Sequence, residues 1–281
     1  MQFALLLLVA VVLLSALDAQ AGRLERVVIQ GYSDDAMEPF ISRDGHFLFF
    51  NTRNDPGVNT NIHFAEWQGQ TWVHRGELSG TVSSDLDGTP TMSADGRFCF
   101  VSTRAYFKTL VTVYCGTFDG SRVNGMVSEN RLAAAKVGLL TFDVDVSADG
   151  RLMIFAEGVF SGGAAPDAAD LHLARWSGNG FTRDPSADIL FATINTTDLE
   201  YAPALSANGL ELYFTRMSGF WIFRSAHLFV ARRSAVDQPF GKPEELSAIE
   251  GFVEGPTLAP DGSVIFHKRA NHHFELWRWR R

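Results

Sequence analysis

Residues 89–104 read TPTMSADGRFCFVSTR. A Ser and an Asp-Gly pair precede a dense apolar run, and an Arg closes the stretch. Four other stretches share the pattern: EPFISRDGHFLFFNTR (38–53), DVDVSADGRLMIFAEG (143–158), APALSANGLELYFTR (202–216) and GPTLAPDGSVIFHKR (255–269). Aligned on Asp44, Asp95, Asp149, Asn208 and Asp261, they lie 51, 54, 59 and 53 residues apart. Self-similarity at that period signals a propeller or a solenoid.

Each unit predicts the same local structure. A short first strand ends in Ser or Ala. Asp-Gly or Asn-Gly then makes a tight hairpin turn, because both residues tolerate positive φ. The second strand (FLFF, FCFV, LMIF, LYF, VIF) does not alternate with polar residues, so both of its faces are buried. A third strand follows: NIHFAEW (61–67), TVYCGTF (112–118), DLHLARW (170–176), HLFVARR (227–233) and FELWRWR (274–280). In the first three units a Gly-containing turn leads to a more polar fourth strand. Four strands per unit, repeated radially, is a propeller blade.

The expected fold is therefore all-β: a five-bladed β-propeller of four-stranded antiparallel blades. The last unit stops after its third strand at Arg281, while GRLERVVIQG (22–31) has no hairpin partner. That N-terminal strand is expected to complete the last blade, closing the ring and removing an exposed edge. The blades span about 32–80, 81–135, 136–192, 193–248 and 249–281 plus 22–31, in one domain.

Residues 2–17, QFALLLLVAVVLLSAL, precede a small-x-small site at Ala21, which reads as a secretory signal peptide over 1–21. No Lys or Arg precedes the run, and no later segment is long and apolar enough to span a bilayer as a helix. The chain is expected to be exported, periplasmic or secreted, and monomeric. Formal net charge is −8, which argues against nucleic acid or an anionic membrane surface as partner.

The pattern P-x-x-S-x-D-G followed by an apolar run ending in S/T-R, with a D-L-H-x-A-R type third strand, resembles the WD40-like propeller repeat of the TolB type. The resemblance covers nearly all of the chain after residue 21. It implies an exported scaffold that presents loops around a central funnel to proteins or polymers. It departs from TolB itself in lacking an extra N-terminal domain and one blade. The third unit departs from the repeat: Glu157-Gly158 and the insert 159–169 stand where the others have Arg53, Arg104, Arg216 and Arg269.

Each unit carries a carboxylate six to eight residues before its turn: Glu38, Asp87, Asp143, Glu200 and Glu254. First strands line the channel, so these groups are expected to ring one mouth, with the four Arg residues as partners. Two readings compete. The acid–Arg pairs hold neighbouring blades together, or some carboxylates bind a ligand or work as an acid/base pair, as in glycosidases. Asp143 and Asp145, without an Arg, favour the second. Tyr106, Phe107, Phe220, Trp221, His272 and His273 sit in loops of the same face and suit a sugar or protein contact. Adjacent His272 and His273 point apart in a strand, so no metal set is assigned. No nucleophile motif and no phosphate loop appears. No cofactor is expected, beyond a structural cation held by the carboxylates. The main reading is a non-catalytic propeller binding a protein or polysaccharide; the alternative is a carbohydrate-active hydrolase or lyase. Cys99 and Cys115 face each other across a hairpin and are either a disulfide or two small core residues.

Overall fold

The computed structural model describes residues 22–54, 59–162, 165–219 and 224–281. The fold is nearly all β, with single helical turns at Tyr106–Thr109 and Ala187–Leu190. Two short N-terminal strands, β1 (Arg23–Arg26) and β2 (Ile29–Gln30), precede five antiparallel units. The first comprises β3 (Met37–Ile41), β4 (Phe47–Asn51), β5 (Ile62–Trp67) and β6 (Trp72–Glu77). The second comprises β7 (Asp87–Met92), β8 (Arg97–Ser102), β9 (Val113–Phe118) and β10 (Val123–Ser128). The third comprises β11 (Leu139–Val146), β12 (Leu152–Val159), β13 (Ala168–Trp176) and β14 (Phe181–Asp184). The fourth comprises β15 (Leu199–Leu205), β16 (Glu211–Ser218), β17 (Ser225–Arg232) and the two-residue β18 (Glu244–Glu245). The fifth has β19 (Val253–Leu258), β20 (Val264–Ala270) and β21 (His273–Arg280).

Hydrogen bonding departs from five separate sheets. The third and fourth units share one sheet through a single parallel pair, Ala169 with Leu199. The N-terminal stretch divides its pairing. Arg23–Arg26 lies antiparallel against Trp277–Arg280 of β21, whereas Ile29 and Gln30 run parallel to Trp72 and Val73 at the far edge of the first unit. The proposed signal segment 1–21 falls outside the described residues, as does Trp221 with Phe220.

The turns differ from the expected two-residue type. Ser93 N–H donates to Arg97 O, leaving a three-residue loop in which only Gly96 takes positive φ (86°). That is a type I turn followed by a left-handed residue, and Gly is the side chain that occupies it without strain. Ser93 Oγ bonds Asp95 and accepts Arg97 N–H, the turn-stabilising use expected for these serines.

Second strands are buried on both faces: Phe98, Cys99, Phe100 and Val101 in β8, Leu48, Phe49 and Phe50 in β4. The apolar clusters explain why. Each packs side chains of one unit against the next, as Phe49 and Phe64 do against Phe98 and Phe118. One cluster joins Ile265 and Leu276 of the fifth unit to Leu48, Phe50 and Trp72 of the first. Cys99 and Cys115 are direct partners across β8 and β9, and their sulfurs are bonded.

Candidate functional site

First strands β3, β7, β11, β15 and β19 converge, and an equivalent tripeptide of each lines a narrow central passage. These are Glu38-Pro39-Phe40, Thr89-Pro90, Asp143-Val144-Asp145, Ala202-Pro203-Ala204 and Gly255-Pro256-Thr257. The leading residue has left-handed backbone in four of them: Glu38 (φ 50°), Thr89 (48°), Ala202 (49°) and Gly255 (64°). Each strand also shifts register here against its second strand, so the position is a β-bulge. A bulge re-aims side chains, and it sorts the five carboxylates by a one-residue difference in spacing.

Asp87 and Glu200 stand eight residues before their turns and do not reach the cavity. Both are wholly buried. Arg104 donates to Asp87 Oδ1 (2.6 Å), while Ser83 donates its N–H and Oγ–H to Oδ2 (both 2.7 Å). Arg216 donates to Glu200 Oε1 (2.7 Å), and Thr196 adds its N–H (2.9 Å) and hydroxyl (2.6 Å). With every oxygen engaged, these two pairs join first strand to second and to the preceding loop. The expected role of holding neighbouring blades together is not what they do: each pair ties its own unit's first strand to its second strand and entry loop.

The other two arginines do not follow that scheme. Arg53 pairs with Asp35 (2.7 Å), not with Glu38, and also donates to the His272 carbonyl. Arg269 is exposed and makes no ion pair among the described residues. Asp145 does find an arginine, Arg43 of the first unit, at 3.4 Å; it also accepts Thr91 Oγ1–H (2.8 Å) and Leu205 N–H (2.7 Å). The missing partner of the third unit is thus supplied across the channel. Glu157, which replaces the repeat's arginine, pairs with Arg183 (3.0 Å).

Glu38, Asp143 and Glu254 come together in a cavity of about 200 Å³, with Met37, Asn54, Phe142, Phe160, Tyr201, Met217 and His267. Tyr201 donates its hydroxyl to Glu254 Oε1, and His267 Nε2 lies 3.3 Å from Oε2. The Glu38 N–H donates to His267 Nδ1 (3.1 Å), so that nitrogen carries no proton and Nε2 is the donor toward Glu254. Asn54 donates to Glu38 Oε1 (2.7 Å), while Glu38 Oε2 is buried without a partner among the described residues.

Asp143 accepts one bond, from Ala202 N–H (3.0 Å). Burial first, and then the negative charges of Glu38 and Glu254, hold its carboxyl well above the ordinary range. Burial also raises Glu38, with Glu254 adding and His267 and Asn54 opposing. Burial and the neighbouring Glu254 push Tyr201 far up, so it stays a donor. Among the described residues no group of three His, Cys, Asp or Glu is arranged to hold a metal ion.

The rim aromatics are dispersed. Tyr106 is buried, with its oxygen accepting Gly138 N–H (2.8 Å); Phe107 is 94% exposed; His273 lies 3.5 Å from Asp35. From the third-unit insert, Phe160, Ala165 and Pro166 reach the cavity wall. Tyr201, His267 and Asn54 were missed by the sequence reading. Tyr201 occupies the same place before its turn as Glu254 before its own, a signal that alignment of the five units contained.

The arrangement defines a propeller-type β protein with an acidic cavity at the convergence of its first strands. Solved structures with this fold include a glycoside hydrolase (12% identity, TM-score 0.62, 90% of this chain and 89% of that one). An endo-arabinase from Bacteroides thetaiotaomicron is similar over 92% of this chain and 98% of its own (12%, 0.58). A luciferin-regenerating enzyme matches over 90% and 75% (11%, 0.54). At such identities the likeness concerns the fold, which hosts unrelated chemistries. No protein-family model and no curated protein matches the chain.

Proposed function

We propose that the chain is an exported five-bladed propeller, closed by β1, that hydrolyses glycosidic bonds in the cavity of Glu38, Asp143 and Glu254. The observation that carries the reading is that these three carboxylates share one cavity and none is neutralised by an arginine. Three charged carboxylates so placed would repel and destabilise the fold, so a proton held among them is the favoured state. Asp143 is the group best placed to hold it, being buried and facing both others.

A carboxyl whose burial makes it hold its proton to higher pH than usual can serve as a general acid, and an acceptor carboxylate beside it as a general base. Asp143 gives its proton to the glycosidic oxygen as the bond to the anomeric carbon breaks. Glu254, oriented by Tyr201 and His267, takes a proton from the water whose oxygen bonds to that carbon. Exchange with solvent then returns Asp143 to its protonated form and Glu254 to its ionised form. Structural similarity to a glycoside hydrolase and to an endo-arabinase supports the same class.

The five inter-unit clusters, with one joining the last unit to the first, support the blade count and closure. A non-catalytic binding propeller is the weaker reading, because a ligand-binding role alone gives no reason for a buried, proton-retaining Asp143. The test is turnover of a glycan panel by purified protein, with Glu254→Gln as control. Release of reducing ends that the variant lacks supports hydrolysis; glycan binding with no turnover returns the protein to the binding class.

A further inference from the structure

We propose that the cavity admits one neutral sugar at the end of a chain, so that the enzyme releases single residues and rejects acidic sugars. The inference rests on the hydrolase reading and specifies the substrate class of that same site.

The cavity is closed at its inner end. There the first strands leave a passage of about 30 Å³ between Pro39, Pro90, Pro203 and Pro256, room for a water or two at about 10–15 Å³ each and none for a sugar ring. Toward the turn face, Arg43 spans from the first unit to Asp145 and to the Val146 carbonyl (2.8 Å) of the third. A polymer cannot thread through, so a substrate enters and leaves by one mouth.

The cavity is also small. Its volume of about 200 Å³ lies below the roughly 300–1,000 Å³ of sites for drug-sized ligands. A volume of this size suits one sugar ring rather than a polymer segment. The residue Asp143 is only 4% exposed. The bond to be cut must therefore be carried inward between walls that include Phe142, Phe160 and Met217, and the end of a chain can do that where an internal segment cannot.

Charge selects the sugar. Among the described residues the lining contains three carboxylates and neither Lys nor Arg. Both ring nitrogens of His267 are already engaged, by Glu38 N–H and by Glu254. A uronic or sialic acid would bring a further negative charge with no cation to meet it, and juxtaposed like charges cost several kcal/mol. A neutral sugar instead offers hydroxyl donors, and Glu38 Oε2 is a buried acceptor that lacks one.

The experiment uses purified protein on matched neutral and acidic aryl glycosides (glucoside with glucuronide, galactoside with galacturonide) and on neutral oligosaccharides, with products sized over time. The expected result is free monosaccharide as the first product and a preference of at least about tenfold for the neutral member of each pair, a step of about 1.4 kcal/mol. Early oligosaccharide products from internal cleavage, or preference for the uronide, overturn this inference and leave the hydrolase reading standing. Failure to cleave or bind any glycan overturns both.

Discussion

Asp143→Asn separates the chemical role of Asp143 from its structural one. Asn preserves the shape and keeps an oxygen to accept Ala202 N–H (3.0 Å), but it cannot give up a proton. A positioned general acid contributes about 10²–10⁴ in rate, or about 2.7–5.4 kcal/mol at 1.36 kcal/mol per decade. That loss should appear with unactivated glycosides. A dinitrophenyl glycoside, whose leaving group departs without a proton, should lose less than about tenfold, because nothing is asked of the acid. In the parent chain the rate should fall as pH rises through the raised Asp143 pKa, and the variant should lack that limb.

Stability has the opposite sign. Asp143 binds its proton more tightly folded than unfolded, so folding is favoured most below the ordinary carboxylate value of 3.8. As pH rises from there through the folded pKa, the parent chain loses the stability this proton contributes, while the Asn variant keeps only the loss that Glu38 brings to both. The two melting temperatures should converge in acid, and the variant should match or exceed the parent at neutral pH. Equal rate losses on both leaving groups, or a variant markedly less stable at neutral pH, would refute the assignment.

Three further outcomes follow from the same geometry. Tyr201→Phe removes the hydroxyl that donates to Glu254, a bond to a carboxylate of about 1.5–3 kcal/mol; denaturant unfolding should show a loss of that order, and kcat should fall as Glu254 loses its orientation. Arg104→Ala leaves Asp87 buried without its cation and should cost about 3–5 kcal/mol in denaturant unfolding, whereas Arg269→Ala should stay within about 0.5 kcal/mol; equal costs would contradict the division of the arginines. Reduction should raise the measured mass by the two hydrogens of a Cys99–Cys115 bridge, and replacing both by Ala should cost about 3 kcal/mol for a loop of this length.

The repeat made the fold legible. Turn residues, unalternated second strands and the fivefold period depend on local chemistry, and each unit states them again. The disulfide partners could be placed opposite one another for the same reason, since hairpin register follows from turn and length. The unit without the arginine at its second strand's end was also visible, and Asp143 stood out through it.

What the sequence could not decide was which carboxylates meet. Asp87, Glu254 and Glu38 stand eight, seven and six residues before their turns, and strand alternation alone would put Asp87 and Glu38 on one face. The β-bulge at Glu38, Thr89, Ala202 and Gly255 sets those faces. It turns Asp87 and Glu200 toward arginines, and Glu38 and Glu254 toward the cavity. Arg43 reaching Asp145, and His267 linking Glu38 to Glu254, are contacts between units more than a hundred residues apart. Hydrophobic period and turn chemistry act within a unit and are written in order along the chain. The cavity exists only where the first, third, fourth and fifth units meet, so its chemistry is a property of their packing.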